Sequence, residues 1–272
     1  MPDSRQPRRD CGSVPEGDTV YRTAKRLNDA LAGRVLDRCD IRVPAFATVD
    51  LTGERIEAVV SVGKHLLHRI GGFTIHSHLK MEGSWEVYPI EAKWQHPAWQ
   101  ARVILGVPGI LAIGFQLGEL DVVPREREGE LVDYLGPDLL GPGWDGEAAV
   151  SNLAADPERP IGLALLDQRN LAGLGNVYRN ELCFLRGVLP TRPVGEVADL
   201  SGFVVLAHRA ILANRDRPER ATTGDLRRGR RTWVHGRQHE PCRRCGTLIR
   251  QGTLGDTALT ERQTYLCPTC QH

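Results

Sequence analysis

Two Cys-x-x-Cys pairs near the C-terminus constrain the fold of this chain more than any other sequence feature. Cys242 and Cys245 form the first pair, Cys267 and Cys270 form the second, and 21 residues separate the pairs. Each pair can aim two thiolates from one tight turn, so two pairs complete a tetrahedral zinc site with no open position. A module this small cannot hold a core of its own, and we predict that one structural Zn²⁺ stabilises it. Two redox or disulfide pairs are the alternative interpretation.

The composition indicates a folded protein with more than one structural unit. The chain has 272 residues, of which 41% are hydrophobic and 25% are charged, and that length exceeds what one average core serves. No stretch approaches 18 consecutive apolar residues, and the polar N-terminus lacks the apolar segment of a secretory signal. We therefore expect a cytoplasmic protein without a membrane partner, whose seven cysteines stay reduced.

Charge is distributed unevenly along the chain. The formal net charge is +1, but residues 15–145 contain 14 basic and 19 acidic residues, a net of −5, and residues 146–272 contain 18 and 13, a net of +5. Eleven arginines lie within residues 215–250. Because Arg pairs well with phosphate oxygens, the C-terminal half is predicted to face phosphate. A solvated, Arg-rich surface is the alternative.

Hydrophobic periodicity divides the chain into a strand-rich part and a helix-rich part. The pattern predicts a helix at residues 17–32, and strands with Gly- and Pro-rich separators over residues 34–123, typical of a β-sandwich or barrel. Further helices are predicted at residues 125–135, 145–154, 160–167, 176–186 and 199–214, and a β-hairpin is predicted between the cysteine pairs. Two glycines in residues 166–176 precede a helix start, which suits an anion site made of backbone N–H groups.

Four separated motifs resemble the formamidopyrimidine-DNA glycosylase / endonuclease VIII family. They are PEGDT from Pro15, GKHLL from Gly63, LDQRNLAGLGNVYRNE from Leu166 and LTERQTYLCPTCQ from Leu259. The first motif reads PEG, which is similar to the endonuclease VIII branch. The resemblance runs from Pro15 to the C-terminus.

The resemblance implies an α+β fold in three parts. It places an N-terminal two-layer β-sandwich with flanking helices, the catalytic domain, at residues 15–140. A helix–two-turns–helix DNA-binding domain follows at residues 145–236, and a β-hairpin zinc finger at residues 237–272. Residues 1–14 precede the resemblance and are expected to be a disordered tail or the product of a start site assigned too early.

The resemblance implies four catalytic residues. The family's nucleophile is an N-terminal proline, which Pro15 matches, and Glu16 beside it matches the general acid/base acting on the sugar ring. Lys64 resembles the family's proton donor for β-elimination, and Arg262 resembles the finger arginine that grips phosphate during δ-elimination. An ordinary helix start is the alternative for the Pro-Glu pair. An exposed turn lysine and one more surface arginine are the alternatives for the other two.

Three further residues resemble DNA contacts of the family. Lys80 is expected to touch DNA, and Met81 is expected to be the apolar wedge that fills the gap left by a flipped-out base. Asn176 resembles a phosphate-binding residue. A core methionine is the alternative for Met81, and a plain helix N-cap is the alternative for Asn176. The family often has a second Glu at the fifth motif position, where this chain has Thr19.

The 14 residues ahead of Pro15 bear on its chemistry. The nitrogen of an internal proline is an amide without a free lone pair, so it cannot attack a sugar carbon. We therefore expect Val14 to mark the true start, with its initiator removed to expose Pro15.

Together these features predict a zinc-containing bifunctional DNA glycosylase and abasic-site lyase of base excision repair. Its expected partner is damaged DNA, duplex or single-stranded, and its expected substrates are oxidised pyrimidines and abasic sites. A monomer is expected. Excision of 8-oxoguanine or formamidopyrimidine is the alternative within the enzyme class. A non-catalytic damage-binding protein is the alternative if Pro15 stays blocked.

Overall fold

A computed structural model describes residues 15–272 of the chain. The predictions made for residues 1–14 lie outside the described residues. In the part that is described, no helix is both long enough and apolar enough to cross a membrane.

Eight strands of the N-terminal part form two antiparallel four-stranded sheets. The strands are β1 (Arg38–Ile41), β2 (Ile56–Val62), β3 (His65–Ile70), β4 (Phe73–His78), β5 (Ser84–Pro89), β6 (Ala101–Val107), β7 (Ile110–Phe115) and β8 (Glu119–Pro124). One sheet has the order β1-β6-β7-β5 and the other has the order β2-β3-β4-β8. Apolar side chains from both sheets share one core, which confirms the predicted sandwich.

Helix α1 (Gly17–Leu31) packs on the sandwich through one apolar stripe. Its buried side chains repeat at helical spacing, as the sequence predicted: Val20, Ala24, Leu27 and Leu31. The helix stops where Gly33 adopts a φ of +79°, a left-handed conformation that favours glycine. The stripe holds the start of α1, and with it the Pro15-Glu16 motif, at a fixed place on the sandwich.

A second core lies among the helices of the C-terminal half. The helices are α2 (Gly146–Ala154), α3 (Ile161–Ala164), α4 (Asn176–Arg186) and α5 (Leu200–Asn214). Asp145 and Asp199 cap α2 and α5 by accepting backbone N–H bonds. Gly187 ends α4 with a φ of +71°.

The last part of the chain is a hairpin of β9 (Arg250–Leu254) and β10 (Arg262–Leu266) beside the four cysteines. It packs against α4 through a small core that includes Phe184 and Tyr265. The architecture is therefore the α+β arrangement that the sequence predicted.

Three elements differ from the prediction. The last strand segment predicted within residues 34–123 ends at Phe115, so strand β8 was missed; it completes the second sheet beside β4. The segment predicted as a helix at residues 125–135 is a 3₁₀ helix, Arg125–Leu131. Helix α3 spans four residues rather than the predicted eight, because Pro160 lies at its N-cap and the chain turns again after Leu165.

Candidate functional site

Glu16 lies at the junction between the sandwich and the helical half. It precedes α1, is fully buried, and its carboxylate accepts hydrogen bonds from the backbone N–H groups of Gly175 at 2.9 Å and Val177 at 2.7 Å. Tyr178 N donates a longer bond of 3.4 Å. The anion site predicted at the start of α4 is therefore filled by a carboxylate of the same chain.

Two glycines allow this close approach. The N–H of Gly17 donates to the carbonyl of Gly173 at 2.8 Å, and a Cβ at position 17 would lie 2.9 Å from the Cα of Gly173. A Cβ at position 175 would lie 2.6 Å from the carboxyl carbon of Glu16. A larger residue at position 17 would push the two backbones apart, and a larger residue at position 175 would displace the Glu16 carboxylate.

Pro15 directly precedes Glu16 and is half-buried. Because Glu16 is anchored on both its backbone and its side chain, the position of Pro15 is fixed by its neighbour. The motif predicted to supply a nucleophile and an acid/base is thus held at one point, between the two halves of the molecule.

A second carboxylate of the motif, Asp18, is also fully buried. It accepts from Nε of Arg220 at 2.7 Å and from the hydroxyl of Tyr178 at 3.0 Å. Burial alone would raise the pKa of Asp18, but Arg220, Arg22 and the N–H of Thr19 together outweigh burial and the pKa falls below its usual value. Asp18 therefore joins α1 to a segment 202 residues further along the chain.

Lys64 lies in the tight turn between β2 and β3 and is partly buried. The preceding Gly63 has a φ of +57°, and its N–H donates to Asp138 at 3.0 Å, which ties the turn to the linker before α2. Burial lowers the pKa of Lys64 to about 8, against the opposing attraction of the Glu16 carboxylate. The structure thus places Lys64 within electrostatic range of Glu16, and its ammonium loses its proton at a lower pH than that of an ordinary lysine.

Helix α4 is joined to the hairpin by polar side chains. Asn176 donates to the carbonyl of Gln263 at 2.9 Å, and Arg179 donates to the same carbonyl at 2.9 Å. Asn180 accepts from the N–H of Tyr265 at 2.9 Å. Asn176 is the first residue of α4 rather than its N-cap, which is Gly175, so the plain N-cap interpretation of Asn176 is wrong.

Arg262 begins β10 and its side chain is exposed. Its Nη1 donates only to nearby backbone carbonyls, including that of Glu261 at 2.9 Å. Burial is the main cause that lowers the pKa of Arg179 to about 10, and the nearby charge of Arg262 contributes to that lowering. Two guanidinium groups near each other favour a bound anion at this point of the surface.

The predicted DNA-contacting loop follows β4. Met81 is 71% exposed, so the core interpretation of this methionine is wrong. Lys80 has a φ of +52° and its ammonium lies 2.5 Å from a carboxylate oxygen of Glu119. An exposed apolar side chain at a loop tip suits contact with a partner.

A chain of hydrogen bonds between side chains supports this loop from beneath. His76 contacts Asp121 at 3.0 Å and His65 at 2.8 Å, and Tyr134 contacts His65 at 3.0 Å. Burial lowers the pKa of His65 to about 3, so its ring is neutral near pH 7. This series of hydrogen bonds links β3, β4 and β8.

The four cysteines of the hairpin module fit a metal ion. Their sulfur atoms all lie within 4.8 Å of one another, with 3.4 Å between Cys245 and Cys267 and 4.0 Å between Cys242 and Cys270. A tetrahedral ion with Zn–S bonds of about 2.3 Å requires sulfur separations of about 3.8 Å. The donor set and its geometry therefore agree.

The arginines of residues 215–250 are divided between internal and outward roles. Several form ion pairs within the chain: Arg215 with Asp216, Arg227 with Asp225, Arg231 with Glu219, and Arg237 with Glu240. Arg220 is buried. The predicted phosphate-facing surface is accordingly less basic than the count of arginines indicated.

Sequence reasoning missed two buried polar residues that organise this region. Arg220 was counted only as one of many arginines, and no local motif distinguishes it. Glu181 ends the segment GLGNVYRNE; it is fully buried and accepts from the N–H groups of Trp233 at 2.7 Å, Val234 at 2.9 Å and His235 at 2.8 Å. A charged residue on the otherwise buried face of a predicted helix is the signal that identifies Glu181.

Comparison with known proteins agrees with this geometry. A family model described as the formamidopyrimidine-DNA glycosylase N-terminal domain matches residues 14–112. Another, described as the formamidopyrimidine-DNA glycosylase H2TH domain, matches residues 135–212.

Curated relatives match nearly the whole chain. Probable endonuclease 8 2 of Streptomyces coelicolor is 56% identical over 95% of this chain and 94% of the relative. DNA-(apurinic or apyrimidinic site) lyase Nei2 of Mycolicibacterium smegmatis is 52% identical over 95% of this chain and 99% of the relative. A crystal structure of Lactococcus lactis Fpg with DNA containing an abasic site has a TM-score of 0.79 and 21% identity, covering 94% of this chain and 99% of that one. This last likeness concerns the fold, whereas the identity to the curated relatives shows that the chain belongs to the formamidopyrimidine-DNA glycosylase / endonuclease VIII family, in its endonuclease VIII-like branch.

Proposed function

We propose that this protein is a bifunctional DNA glycosylase and abasic-site lyase of base excision repair. The observation that carries the proposal is the anchoring of Glu16, directly after Pro15, against α4 and within electrostatic range of Lys64. The names of the curated relatives, endonuclease 8 and DNA-(apurinic or apyrimidinic site) lyase, support the same activity.

The proposed reaction begins at the nitrogen of Pro15. A free terminal amine has an unperturbed pKa of roughly 8 and is partly neutral near pH 7, so it can attack C1′ of the damaged nucleotide. The C1′–N bond breaks, the base leaves with a proton, and an iminium forms between C1′ and Pro15. Glu16 serves as the general acid/base that opens the sugar ring.

The iminium then drives strand cleavage. Loss of a C2′ proton pushes electrons toward C3′ and expels the 3′ phosphate, and a second elimination expels the 5′ phosphate. Lys64 is the proposed proton donor of the first elimination, and Arg262 is the proposed phosphate contact of the second. The exposure of Arg262 supports this role.

The proposal requires a form of the protein that begins at Pro15. As an amide, the nitrogen of an internal Pro15 has no free lone pair. The family model begins at residue 14, directly before Pro15, which agrees with this requirement.

DNA is proposed to lie across the loop of Lys80 and Met81, the start of α4 at Asn176, and the finger residue Arg262. Met81 supplies an apolar wedge and the others contact phosphate. The proposed unit is a monomer, which light scattering of the purified protein tests.

One structural Zn²⁺ is proposed to occupy the site of Cys242, Cys245, Cys267 and Cys270, where it links the two ends of the hairpin module. Metal analysis of the purified protein is expected to give one zinc per chain. Loss of zinc from Cys267→Ser, with lowered thermal stability, would support a structural role.

Borohydride trapping on DNA with a single abasic site tests the function. A chain that begins at Pro15 is expected to form a covalent adduct that mass spectrometry maps to Pro15. A matched chain with one added Gly before Pro15 converts the Pro15 nitrogen to an amide, so it is expected to form no adduct at Pro15. An adduct that maps to another residue of the chain beginning at Pro15 would exclude Pro15 as the nucleophile, and no adduct in that chain would leave a damage-binding protein.

The proposed substrates are oxidised pyrimidines and abasic sites. A panel of duplexes that each carry one lesion is expected to give faster excision of oxidised pyrimidines than of 8-oxoguanine or formamidopyrimidine. The reverse order would assign the chain to the purine-lesion alternative.

A further inference from the structure

The buried ion pair of Asp18 and Arg220 has no part in the proposed chemistry, yet it lies directly behind it. The guanidinium binds Asp18 through Nε at 2.7 Å and through Nη2, and the side chain of Arg220 is only 6% exposed. The guanidinium carbon lies 4.9 Å from the ring centroid of Tyr178, whose hydroxyl donates to Asp18. Two nitrogens and one face of the planar guanidinium of Arg220 are thus engaged.

The third nitrogen is not engaged. Nη1 of Arg220 is buried and has no hydrogen-bond partner among the described residues. It lies 3.5 Å from Oε1 of Glu16, too far for a good hydrogen bond but close enough for an ion pair. A buried donor without a partner costs free energy, so its retention calls for an explanation.

A purely structural role does not explain this nitrogen. Asp18 already accepts from Nε, from Nη2, from the Tyr178 hydroxyl and from the N–H of Thr19. These bonds tie α1 to the helical half without any contribution from Nη1. The N–H groups of Nη1 therefore interact with the nearby acceptor, Oε1 of Glu16.

We propose that Arg220 is a positioning residue for Glu16: Asp18 and Tyr178 fix the guanidinium, and its Nη1 holds Oε1 in the orientation needed to act on the substrate sugar. The inference rests on the proposed function. This chain has Thr19 where the family often has a second carboxylate. Its additional carboxylate is Asp18, one residue earlier, and that carboxylate binds Arg220. Asp18 acts on the site through the arginine.

The same guanidinium affects Lys64. The charged groups around Lys64 are the carboxylates of Glu16 and Asp18, which raise its pKa, and the cations Arg220 and Lys80, which lower it. Arg220 has the larger influence of the Asp18–Arg220 pair, so removing both charges is expected to raise the pKa of Lys64, while Glu16 and Lys80 keep their opposing effects. The charges therefore link the orientation of Glu16 to the protonation of Lys64.

The test uses the chain that begins at Pro15, with the double substitution Asp18→Asn and Arg220→Gln. Both charges are removed together because Arg220→Gln alone would leave Asp18 as an uncompensated buried charge. We expect a folded protein whose single-turnover excision rate falls about 100-fold through misplacement of Glu16. Its affinity for lesion DNA is expected to change by less than about three-fold, since neither residue is placed at the DNA surface.

Arg22→Gln is the matched control. Arg22 also lies near Asp18, but it donates to the carbonyl of Asn214 and does not contact Glu16. The control is expected to keep the excision rate. Arg220→Lys is expected to retain only part of that rate, because one ammonium cannot bridge Asp18 and Glu16 as the planar guanidinium does. A structural role alone predicts lowered stability with an unchanged rate for the folded double variant, and that result would overturn the inference.

The pH dependence separates this inference from the proposed function. In the double variant, the upper pH limit of β-elimination is expected to move to higher pH than in the unaltered chain, because Arg220 lowers the pKa of Lys64 more than Asp18 raises it. If the unaltered chain traps abasic DNA while the double variant keeps its rate and its pH limit, only the role of Arg220 fails. If the unaltered chain forms no adduct, the proposed function fails and the inference fails with it.

Discussion

Glu16 and Glu181 are two fully buried glutamates in equivalent hydrogen-bonding situations, yet they occupy different regions with different charges around them. Glu16 accepts from three backbone N–H groups at the start of α4. Glu181 lies on the same helix and accepts from three successive N–H groups of the loop that leads to the cysteine module. Burial and hydrogen bonding alone do not distinguish them.

The neighbouring charges do distinguish the two residues. Glu16 has the guanidinium of Arg220 at 3.5 Å and the ammonium of Lys64 within electrostatic range. The further partner of Glu181 is the hydroxyl of Thr222, and within residues 15–272 no cation forms an ion pair with Glu181. Burial raises the pKa of Glu181, and its hydrogen bonds oppose that rise. One glutamate thus lies beside two cations, of which Lys64 can exchange a proton, and the other fixes a loop.

Glu16→Gln is expected to give the largest effect. The amide keeps the shape and an acceptor oxygen but cannot transfer the proton, so the excision rate should fall by about 10²–10⁴-fold. Single-turnover excision with the chain beginning at Pro15 measures this rate, and circular dichroism checks that the fold is kept. Retention of most of the rate would remove Glu16 from the chemistry and the contrast with Glu181.

Glu181→Ala tests the other half of the comparison. It leaves three buried N–H groups without an acceptor, and the free energy of unfolding is expected to fall by about 3 kcal/mol or more. The excision rate of the folded protein, measured at low temperature, should stay within about three-fold of the unaltered chain. A large loss of rate with unchanged stability would contradict the structural assignment of Glu181.

The pH dependence of strand cleavage sharpens the role of the charges near Glu16. With a pKa of about 8, Lys64 loses its proton as the pH rises through 8. If it donates a proton, β-elimination should therefore decline about ten-fold for each further pH unit, whereas an ordinary lysine would sustain the reaction to about pH 10.

Lys64→Arg is the control for this prediction. Its guanidinium neither loses nor donates a proton in this pH range, so β-elimination should be slower at every pH and the decline near pH 8 should be absent. The terminal amine of Pro15 titrates in the same range, but with the opposite sign, since its rate rises with pH, and it is present in both proteins. An identical decline in both would exclude Lys64 as its source.

Met81→Ala is expected to give the smallest effect and shows the contrast between anchored and exposed residues. Met81 is 71% exposed in the described structure and bonds to nothing that positions Glu16. Affinity for lesion DNA should fall about five-fold through lost apolar contact, with unchanged thermal stability. A marked loss of stability would mean that the side chain supports the fold instead.

Much of the architecture could be predicted from local pattern. The apolar repeat of α1 and the spacing of the cysteine pairs each arise from residues close together in sequence, and each is confirmed as a structural feature. Strand β8 was missed because its segment, ELDVVP, is short, only partly buried and lacks a clear alternation. It is a strand because β4 supplies its hydrogen bonds.

The residues of the site divide in the same way. The motifs drew attention to Glu16, Lys64 and Arg262, but their sequence positions do not show that Glu16 would fill the helix start that GLGN provides. That contact joins residues 161 positions apart. The need for glycine at positions 17, 173 and 175 becomes evident only when the start of α1 meets the backbone before α4.

By itself, the sequence determined the order of the three parts, the group of four cysteines that could hold a metal ion, and the resemblance that names Pro15 and Glu16. Only the tertiary structure decided which arginine among many faces the site, which of the buried glutamates has cations beside it, and whether Met81 is core or surface. The physical reason is range: helix periodicity and ligand spacing are set by neighbours along the chain. The charge environment of a side chain is set by whatever folding brings within a few ångströms, and for Arg220 and Asp18 that partner is 202 residues away.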